Sequence, residues 1–314
     1  LGAPWMVGSL MLNNLLRFQG SAVYGMVGMT SGAVLNVALD PLFIYTFEMG
    51  VLGASLATMI SQFVGFCLLI AGCAKGGNIA IRFVHFSPRL WHYREICRGG
   101  LPSLCRQGLL ALSTVVLNHS AQDFGDAAIA ALSIVRRVYW FAGSALIGWG
   151  QGFQPVCGFN YGAGLYSRVR RAFWFCFKSS FWVLLAFSIL GIVFAEEIIA
   201  IFRPDDPDVI RIGSLALQMQ CFVMPLIGWV VLHNMMLQTI GRAGPATLLA
   251  LGRQGLFLLP ALFILKPWLG VLGIQLAQPI ADFATVIMAV PLGMHALRDM
   301  VERENAGMLQ NNHT

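Results

Sequence analysis

Charged residues are scarce in this 314-residue sequence. Only 11% of its residues are Asp, Glu, Lys or Arg, whereas 57% are hydrophobic. A soluble domain carries about 25% charged residues, because it must cover a surface that faces water. The composition therefore argues against a soluble domain and predicts an integral membrane protein.

The sequence also lacks the patterns of a disulfide framework or a metal site. Its seven cysteines are scattered and form no CxxC pair, so we interpret them as small apolar packing residues. No serine–histidine, paired-acid or metal-ligand constellation falls in the apolar segments, and we do not expect an enzyme. Residues 1–16 lack a basic start and a small-residue cleavage site, so we expect no cleavable signal peptide.

Long apolar segments are what the sequence does contain. Each is close to the roughly 20 residues that a membrane-spanning helix needs, and none alternates in polarity as a strand would. They lie near 22–45, 52–73, 101–120, 128–150, 170–195, 212–237, 246–266 and 270–293. The fold class is therefore an all-α integral membrane protein.

Basic residues are concentrated in alternate loops. The intervening loops hold few Lys or Arg and carry acids such as Glu196 and Asp205. Because basic loops stay in the cytoplasm, we expect a multi-pass protein of the plasma (inner) membrane with a cytoplasmic C-terminus. The basic loop residues are Arg17, Lys75, Arg82, Arg89, Arg94, Arg98, Arg168, Arg170, Arg171, Lys178, Arg242, Arg298 and Arg303.

An internal repeat relates each residue to the one 220 positions later. Residues 50–63 and 270–283 are identical at eight of 14 positions. The offset predicts two parallel halves of six helices each, a layout known in transporters, with the first three helices missing from this sequence. The predicted parts are a partial N-lobe, a cytoplasmic linker, a C-lobe and a cytoplasmic tail, at 1–73, 74–98, 99–297 and 298–314.

Several motifs together resemble the multidrug and toxic compound extrusion (MATE) family, and the resemblance covers nearly the whole chain. They are NNLLRFQG (13–20), NVALDPLFI (36–44), GVLGASLATMISQ (50–62), GLPSLCRQG (100–108) and GFQPVCGFNYGAG (152–164). The resemblance implies a two-lobe bundle of six plus six helices. It also implies efflux of cationic, amphipathic compounds in exchange for H⁺ or Na⁺, with no other cofactor.

Asn36 and Asp40 are four residues apart, so they share one face of a helix. Pro41 removes a backbone donor and is expected to bend the helix there. Desolvation favours the neutral acid and a bound cation favours the ionised acid, so such a group can exchange a proton for a cation. The family resemblance implies that role for Asp40, with Asn36 as its hydrogen-bond partner. A purely structural acid is the alternative.

The second half differs from the first at the matching position, because Pro260 stands where the repeat would place an acid. Asp282 is the other acid within an apolar segment. We expect a structural ion pair for it, since intramembrane acids usually find a base. Arg253, Arg136 and Arg137 are the candidate partners.

Several amides are candidates for a central substrate cavity, although each is as well explained by an interhelical hydrogen bond. They are Gln62, Gln107, Asn118, Gln151, Gln154 and Asn234. In Na⁺-coupled relatives acids are expected in the helices matching 101–120 and 212–237. Here those segments hold none, which favours H⁺ as the coupling ion.

Two other functions remain open. A lipid-linked sugar flippase of the same superfamily would need an arginine-rich cavity, for which Arg106, Arg136, Arg137 and Arg253 are available. A membrane subunit without transport activity is the other. The expected partners are the lipid bilayer and small cationic or amphipathic substrates, the protein is expected to be a monomer, and no nucleic acid is expected.

Overall fold

A computed structural model describes residues 2–75 and 89–311, without the side chains of 98, 102 and 306–311. Over these ranges the secondary structure is helical and includes no strand, so the all-α expectation is confirmed. The chain forms two compact units, Leu1–Arg89 and Leu90–Thr314. Residues 76–88 of the predicted linker and 312–314 of the predicted tail lie outside the described residues.

The first unit contains three α-helices. They are α1 (Ala3–Phe18), α2 (Ala22–Pro41) and α3 (Gly50–Cys73), and α2 continues directly into a π-helical segment at Leu42–Thr46. α2 packs against α3, and α1 packs against both. Apolar side chains of α1 and α3 form the core of this unit, in which Leu16 and Leu69 are fully buried.

The second unit contains the remaining described α-helices. They are α4 (Leu90–Gln122), α5 (Asp126–Gly162), α6 (Tyr166–Val193), α7 (Ala195–Phe202), α8 (Pro207–Thr239), α9 (Ala243–Leu251), α10 (Leu258–Leu269) and α11 (Val271–Asn311). The unit is built around the long, deeply buried α8, which packs against α5, α6 and α11 and contributes apolar residues to both large cores. A second π-helical segment, Gly252–Leu256, separates α9 from α10.

Each predicted membrane segment corresponds to one helical stretch of the structure. The segment 22–45 combines α2 with the first π segment, 246–266 combines α9, the second π segment and α10, and 170–195 runs two residues beyond the end of α6. Seven helical stretches of the described chain are long and apolar enough to cross a membrane, and α4 makes eight if its two parts are counted as one span. Those parts meet at a 45° bend between Leu101 and Ser103, where residue 102 is a proline, a residue that commonly kinks helices. The protein is therefore a multi-pass membrane protein.

Two helices run well beyond the apolar segments that predicted them. α5 continues to Gly162, so most of the glycine-rich GFNYGAG stretch is helical and the expected turn is confined to its end. α11 continues to Asn311, into the segment predicted as a tail. This part of α11 forms ion pairs of Asp299 with Arg242, at the N-cap of α9, and of Glu304 with Arg170 of α6. The length of the apolar segment indicates which part of a helix can cross the membrane, whereas contacts such as these ion pairs stabilise the helical residues outside that part.

The repeated GVLG motif has the same structural role in both units. Its first glycine is the first residue of α3 (Gly50) or directly precedes α11 (Gly270), and it has a positive φ of 53° or 59°, a conformation that glycine adopts without strain. Its second glycine lies where the new helix passes the preceding one. A Cβ on Gly53 would lie 2.8 Å from the Phe43 carbonyl oxygen, and one on Gly273 would overlap that of Leu265. The repeat therefore preserves a sharp connection between closely packed helices.

Candidate functional site

Asp40 and Asn36 lie on one face of α2, as their spacing predicts. Asn36 Nδ2 donates to Asp40 Oδ1 across 3.4 Å, and both side chains are half-buried. No basic residue of the described chain pairs with Asp40. The carboxyl thus belongs to a candidate membrane span and has one neutral hydrogen-bond partner.

Pro41 follows Asp40 without interrupting the helix. The backbone remains α-helical through Pro41 and then widens into the π segment, in which the Phe47 N–H donates to the Leu42 carbonyl across 3.1 Å. The expected helix distortion is therefore a change of helix type directly after the proline. π-helical turns frequently occur at functional sites, and this one begins two residues after the acid.

Asp282 is the centre of a second polar site, inside the second unit. Its carboxylate is fully buried. Arg253 Nε donates to Oδ1 across 2.8 Å, so the structure contains the predicted ion pair with Arg253. Gln278 also donates to Oδ1, and Gln220 donates to Oδ2, both across 2.9 Å. The Tyr139 hydroxyl completes the group, 3.4 Å from Oδ2 and 2.6 Å from the Arg253 guanidinium.

The π segment Gly252–Leu256 positions Arg253 in this network. Its backbone departs from regular α-helical bonding, and the Gln254 carbonyl accepts a hydrogen bond of 2.5 Å from the Ser113 hydroxyl on α4. A backbone group inside a membrane protein needs such a partner. Of the two π segments in the described chain, one therefore contains an ionisable residue, Arg253, and the other begins two residues after Asp40.

A cavity of about 200 Å³ lies in the second unit beside this network. Its wall is mostly apolar, and its polar side chains include Arg106, Arg136, Arg253 and Gln220. Arg137, which sequence reasoning grouped with these arginines, is exposed and is not among the lining residues. The folding of α4, α5 and the second π segment thus gathers three of the four arginines around one cavity.

The amides predicted to line a central cavity are not part of this wall. Asn234 is buried and both ends of its amide are used, because Nδ2 donates to the Ala246 carbonyl and Oδ1 accepts from Gln238. Asn234 thus makes an interhelical hydrogen bond, the alternative that the sequence left open. Gln107 is exposed, and the remaining four are half-buried: Gln62, Asn118, Gln151 and Gln154. A cavity role for these remains a prediction.

Sequence reasoning missed three members of the Asp282 network. Gln278 is four residues before Asp282, and that spacing was a usable signal. Gln220 and Tyr139 are 62 and 143 residues away from the acid. One sequence carries no signal for contacts at that separation.

An all-helical bundle with an intramembrane acid in each unit is typical of a membrane transporter. The sequence model of the family described as MatE matches residues 102–264, just over half of the chain. The chain belongs to this family, the multidrug and toxic compound extrusion family, as its motifs predicted.

Curated relatives and solved structures agree with this assignment. The chain is 24% identical over 311 residues to the multidrug export protein MepA of Staphylococcus haemolyticus (strain JCSC1435) and 26% identical over 322 residues to MepA of Staphylococcus aureus (strain MSSA476). Each alignment covers 99% of this chain and 68% of the relative.

The fold is similar to that of solved MATE structures. A crystal structure of MATE in complex with MaL6 matches with a TM-score of 0.89 at 24% identity, over 96% of this chain and 68% of the other. A point mutant of the Vibrio cholerae MATE transporter VcmN matches with a TM-score of 0.84 at 22% identity, over 94% of this chain and 68% of the other.

Proposed function

We propose that this protein is a multidrug efflux antiporter of the cell membrane, which exports cationic amphipathic compounds in exchange for protons. Family membership and the MepA relatives, whose name describes multidrug export, support the efflux activity. The position of Asp40 supports the coupling mechanism. Its half-buried carboxyl lies in a candidate span and has only the neutral Asn36 as a described partner.

Asp40 is suited to the coupling role because its charge is not already neutralised. An ionised Asp40 attracts a cationic substrate, and a proton on the same carboxyl removes that attraction. Binding of proton and substrate at Asp40 is then mutually exclusive, which is the requirement for exchange. Asp282 is unsuited to this role, because Arg253 already neutralises it and further donors occupy both of its oxygens.

The absence of an acid from 101–120 and 212–237 favours protons over Na⁺ in this proposal. The concentration of basic residues in alternate loops supports a cytoplasmic C-terminus. We further propose that the protein works as a monomer.

Ethidium efflux from cells that produce the protein tests the coupling role. Asp40→Asn keeps the shape of the side chain and an oxygen that can accept from Asn36 but cannot bind a proton, so pH-driven efflux should be lost. Glu48→Gln is the matched control, since Glu48 is exposed in the loop after α2, and it should leave efflux unchanged. Intact pH-driven efflux in Asp40→Asn would rule out the coupling role.

Reconstituted protein distinguishes the coupling ions. A pH gradient imposed across proteoliposomes without Na⁺ should drive ethidium uptake, whereas a Na⁺ gradient at equal pH should not. The reverse result would assign the coupling to Na⁺, and no response to either gradient would contradict the antiporter itself.

A further inference from the structure

The cavity of the second unit has an excess of positive charge. Among the described residues, the charged side chains in its wall are those of Arg106, Arg136 and Arg253. Asp282 lies buried beside it and is paired with Arg253, so that pair is neutral as a whole. Arg106 and Arg136 therefore contribute two positive charges that the pair does not balance.

Arg106 is exposed and Arg136 is half-buried, and neither has a hydrogen-bond or ion-pair partner in the part of the chain that the structure describes. Arg106 also lies close enough to Arg253 for their like charges to repel each other. Charged groups within membrane-spanning segments are costly and normally pair with an opposite charge. Two unpaired arginines on one cavity thus leave a place for an anion from outside the chain.

The remainder of the wall is suited to an apolar group. Leu110 and Leu117 of α4, Trp140 and Ile147 of α5, and Val231 of α8 line the cavity together with the arginines. A small inorganic anion would leave this surface without a partner. An amphiphile would place its head group on the arginines and its apolar body against these side chains.

We propose that this cavity binds the anionic group of an amphiphile, a carboxylate or a phosphate attached to an apolar body, through Arg106 and Arg136. The site is separate from Asp40 in residues and in charge. It goes beyond the proposed exchange of protons for cations, and either proposal can fail while the other holds.

Binding of a dansyl-labelled fatty acid to the purified protein tests the site, with energy transfer from Trp140 in the wall as a signal. Arg106→Gln and Arg136→Gln should each weaken binding about 10-fold, the size expected for loss of one hydrogen bond to a charged group. Arg137→Gln is the matched control, because it removes the same charge from the neighbouring position, which does not line the cavity, and should leave affinity unchanged. Equal weakening by Arg136→Gln and Arg137→Gln would overturn the proposal.

Further variants and ligands test whether charge and apolar body both matter. Arg106→Lys and Arg136→Lys keep the charge and should retain most of the affinity; loss of binding equal to that of the Gln variants would contradict a charge-based site. An alcohol of the same chain length should bind at least about 10-fold more weakly than the acid, since it lacks the charge that the arginines would bind. Equal affinity of alcohol and acid would overturn the proposal.

The source of the anionic group is distinguished by competition. Displacement of the dansyl acid by an unlabelled fatty acid supports a carboxylate ligand, and displacement by phosphatidate in nanodiscs supports a phosphate head group of a lipid. Inorganic phosphate at the same concentration should not compete. Equal competition by inorganic phosphate would remove the role of the apolar body and contradict the proposal as stated.

Discussion

Arg253 and Asp282 are 29 residues apart in sequence, and the Arg253 Nε lies 2.8 Å from the Asp282 Oδ1. Around this pair, Gln220, Gln278 and Tyr139 provide further donors to the carboxylate. Asp40, in contrast, has one donor, Asn36, at 3.4 Å. The two intramembrane acids of this chain are thus in opposite situations: one is fully satisfied within the fold, and the other keeps its oxygens available.

Removing one partner of the Arg253–Asp282 pair should destabilise the protein strongly. Asp282→Ala leaves Arg253 without its counter-charge and Gln220 and Gln278 without their acceptor, and loss of one member of a buried pair costs about 3–5 kcal/mol. We expect a clear fall in melting temperature of the detergent-solubilised protein, measured by fluorescence-detected gel filtration.

The double variant Arg253→Met/Asp282→Leu is the informative control for this pair. Replacing both charges by apolar groups leaves no unpaired charge, so it should be more stable than Asp282→Ala alone. If the double variant is destabilised by the sum of the two single effects, the pair does not behave as a coupled unit.

Loss of the Asn36 side chain should lower the rate of transport without abolishing it. Asn36→Ala removes the described hydrogen bond to Asp40, and such a bond contributes about 0.5–1.5 kcal/mol. The initial rate of ethidium efflux should therefore fall by several-fold. Asp40→Asn, in contrast, should abolish pH-driven efflux. Asn160→Ala is the matched control, because within the described residues the Asn160 side chain donates to the Val156 carbonyl of its own helix. An Asn36→Ala rate equal to that of the control would show that the hydrogen bond does not affect Asp40.

The membrane segments and the two acids could be predicted from sequence because each depends on a local signal. Apolar length marks the spans, and a four-residue spacing places Asn36 beside Asp40 on one helical face. The ion pair of Asp282 was predictable as a type of interaction, because a buried charge needs a partner. The choice of Arg253 over Arg136 required the structure, since the π segment at Gly252–Leu256 has no recognised sequence pattern.

The arginine cavity was the least predictable feature. Arg106, Arg136 and Arg253 belong to α4, α5 and the second π segment, and only the packing of these elements brings them to one wall. The neighbouring Arg137 has the same charge but lies on a different side of α5, because adjacent residues on a helix are separated by about 100°. Residue type alone cannot separate the two arginines.

The second glycine of each GVLG motif should not tolerate a methyl group. A Cβ at position 53 or 273 would press on the backbone of the preceding helix, and backbone cannot rotate away as a flexible side chain can. Gly53→Ala and Gly273→Ala should each cost about 1–3 kcal/mol, the usual range for overpacking, and lower the melting temperature in detergent.

Gly148→Ala is the control for these two variants. A Cβ there has no neighbouring atom within 4 Å, and alanine favours the helix over glycine by roughly 0.5–1 kcal/mol. Its melting temperature should therefore be unchanged or raised. Equal destabilisation at positions 148 and 273 would point to a general sensitivity of helical glycines rather than to the close helix crossing.

The ion pair between Asp123 and Lys266 should make a pH-dependent contribution to stability. Lys266 Nζ lies 2.6 Å from Asp123 Oδ2, and its hydrogen bond holds the pKa of that carboxyl below the ordinary value of 3.8. Because the pKa is lowered in the folded state, the contribution is present above the unfolded value and is lost as the pH falls through the folded one. The melting temperature of the wild type should exceed that of Asp123→Asn at about pH 5 and above, and the difference should shrink below about pH 4 and vanish once the folded carboxyl is protonated. Asp126 is an exposed acid without a described basic partner, so Asp126→Asn should change the melting temperature less than Asp123→Asn does. A difference in melting temperature between the wild type and Asp123→Asn that stays the same at every pH below 3.8 would contradict the ion pair.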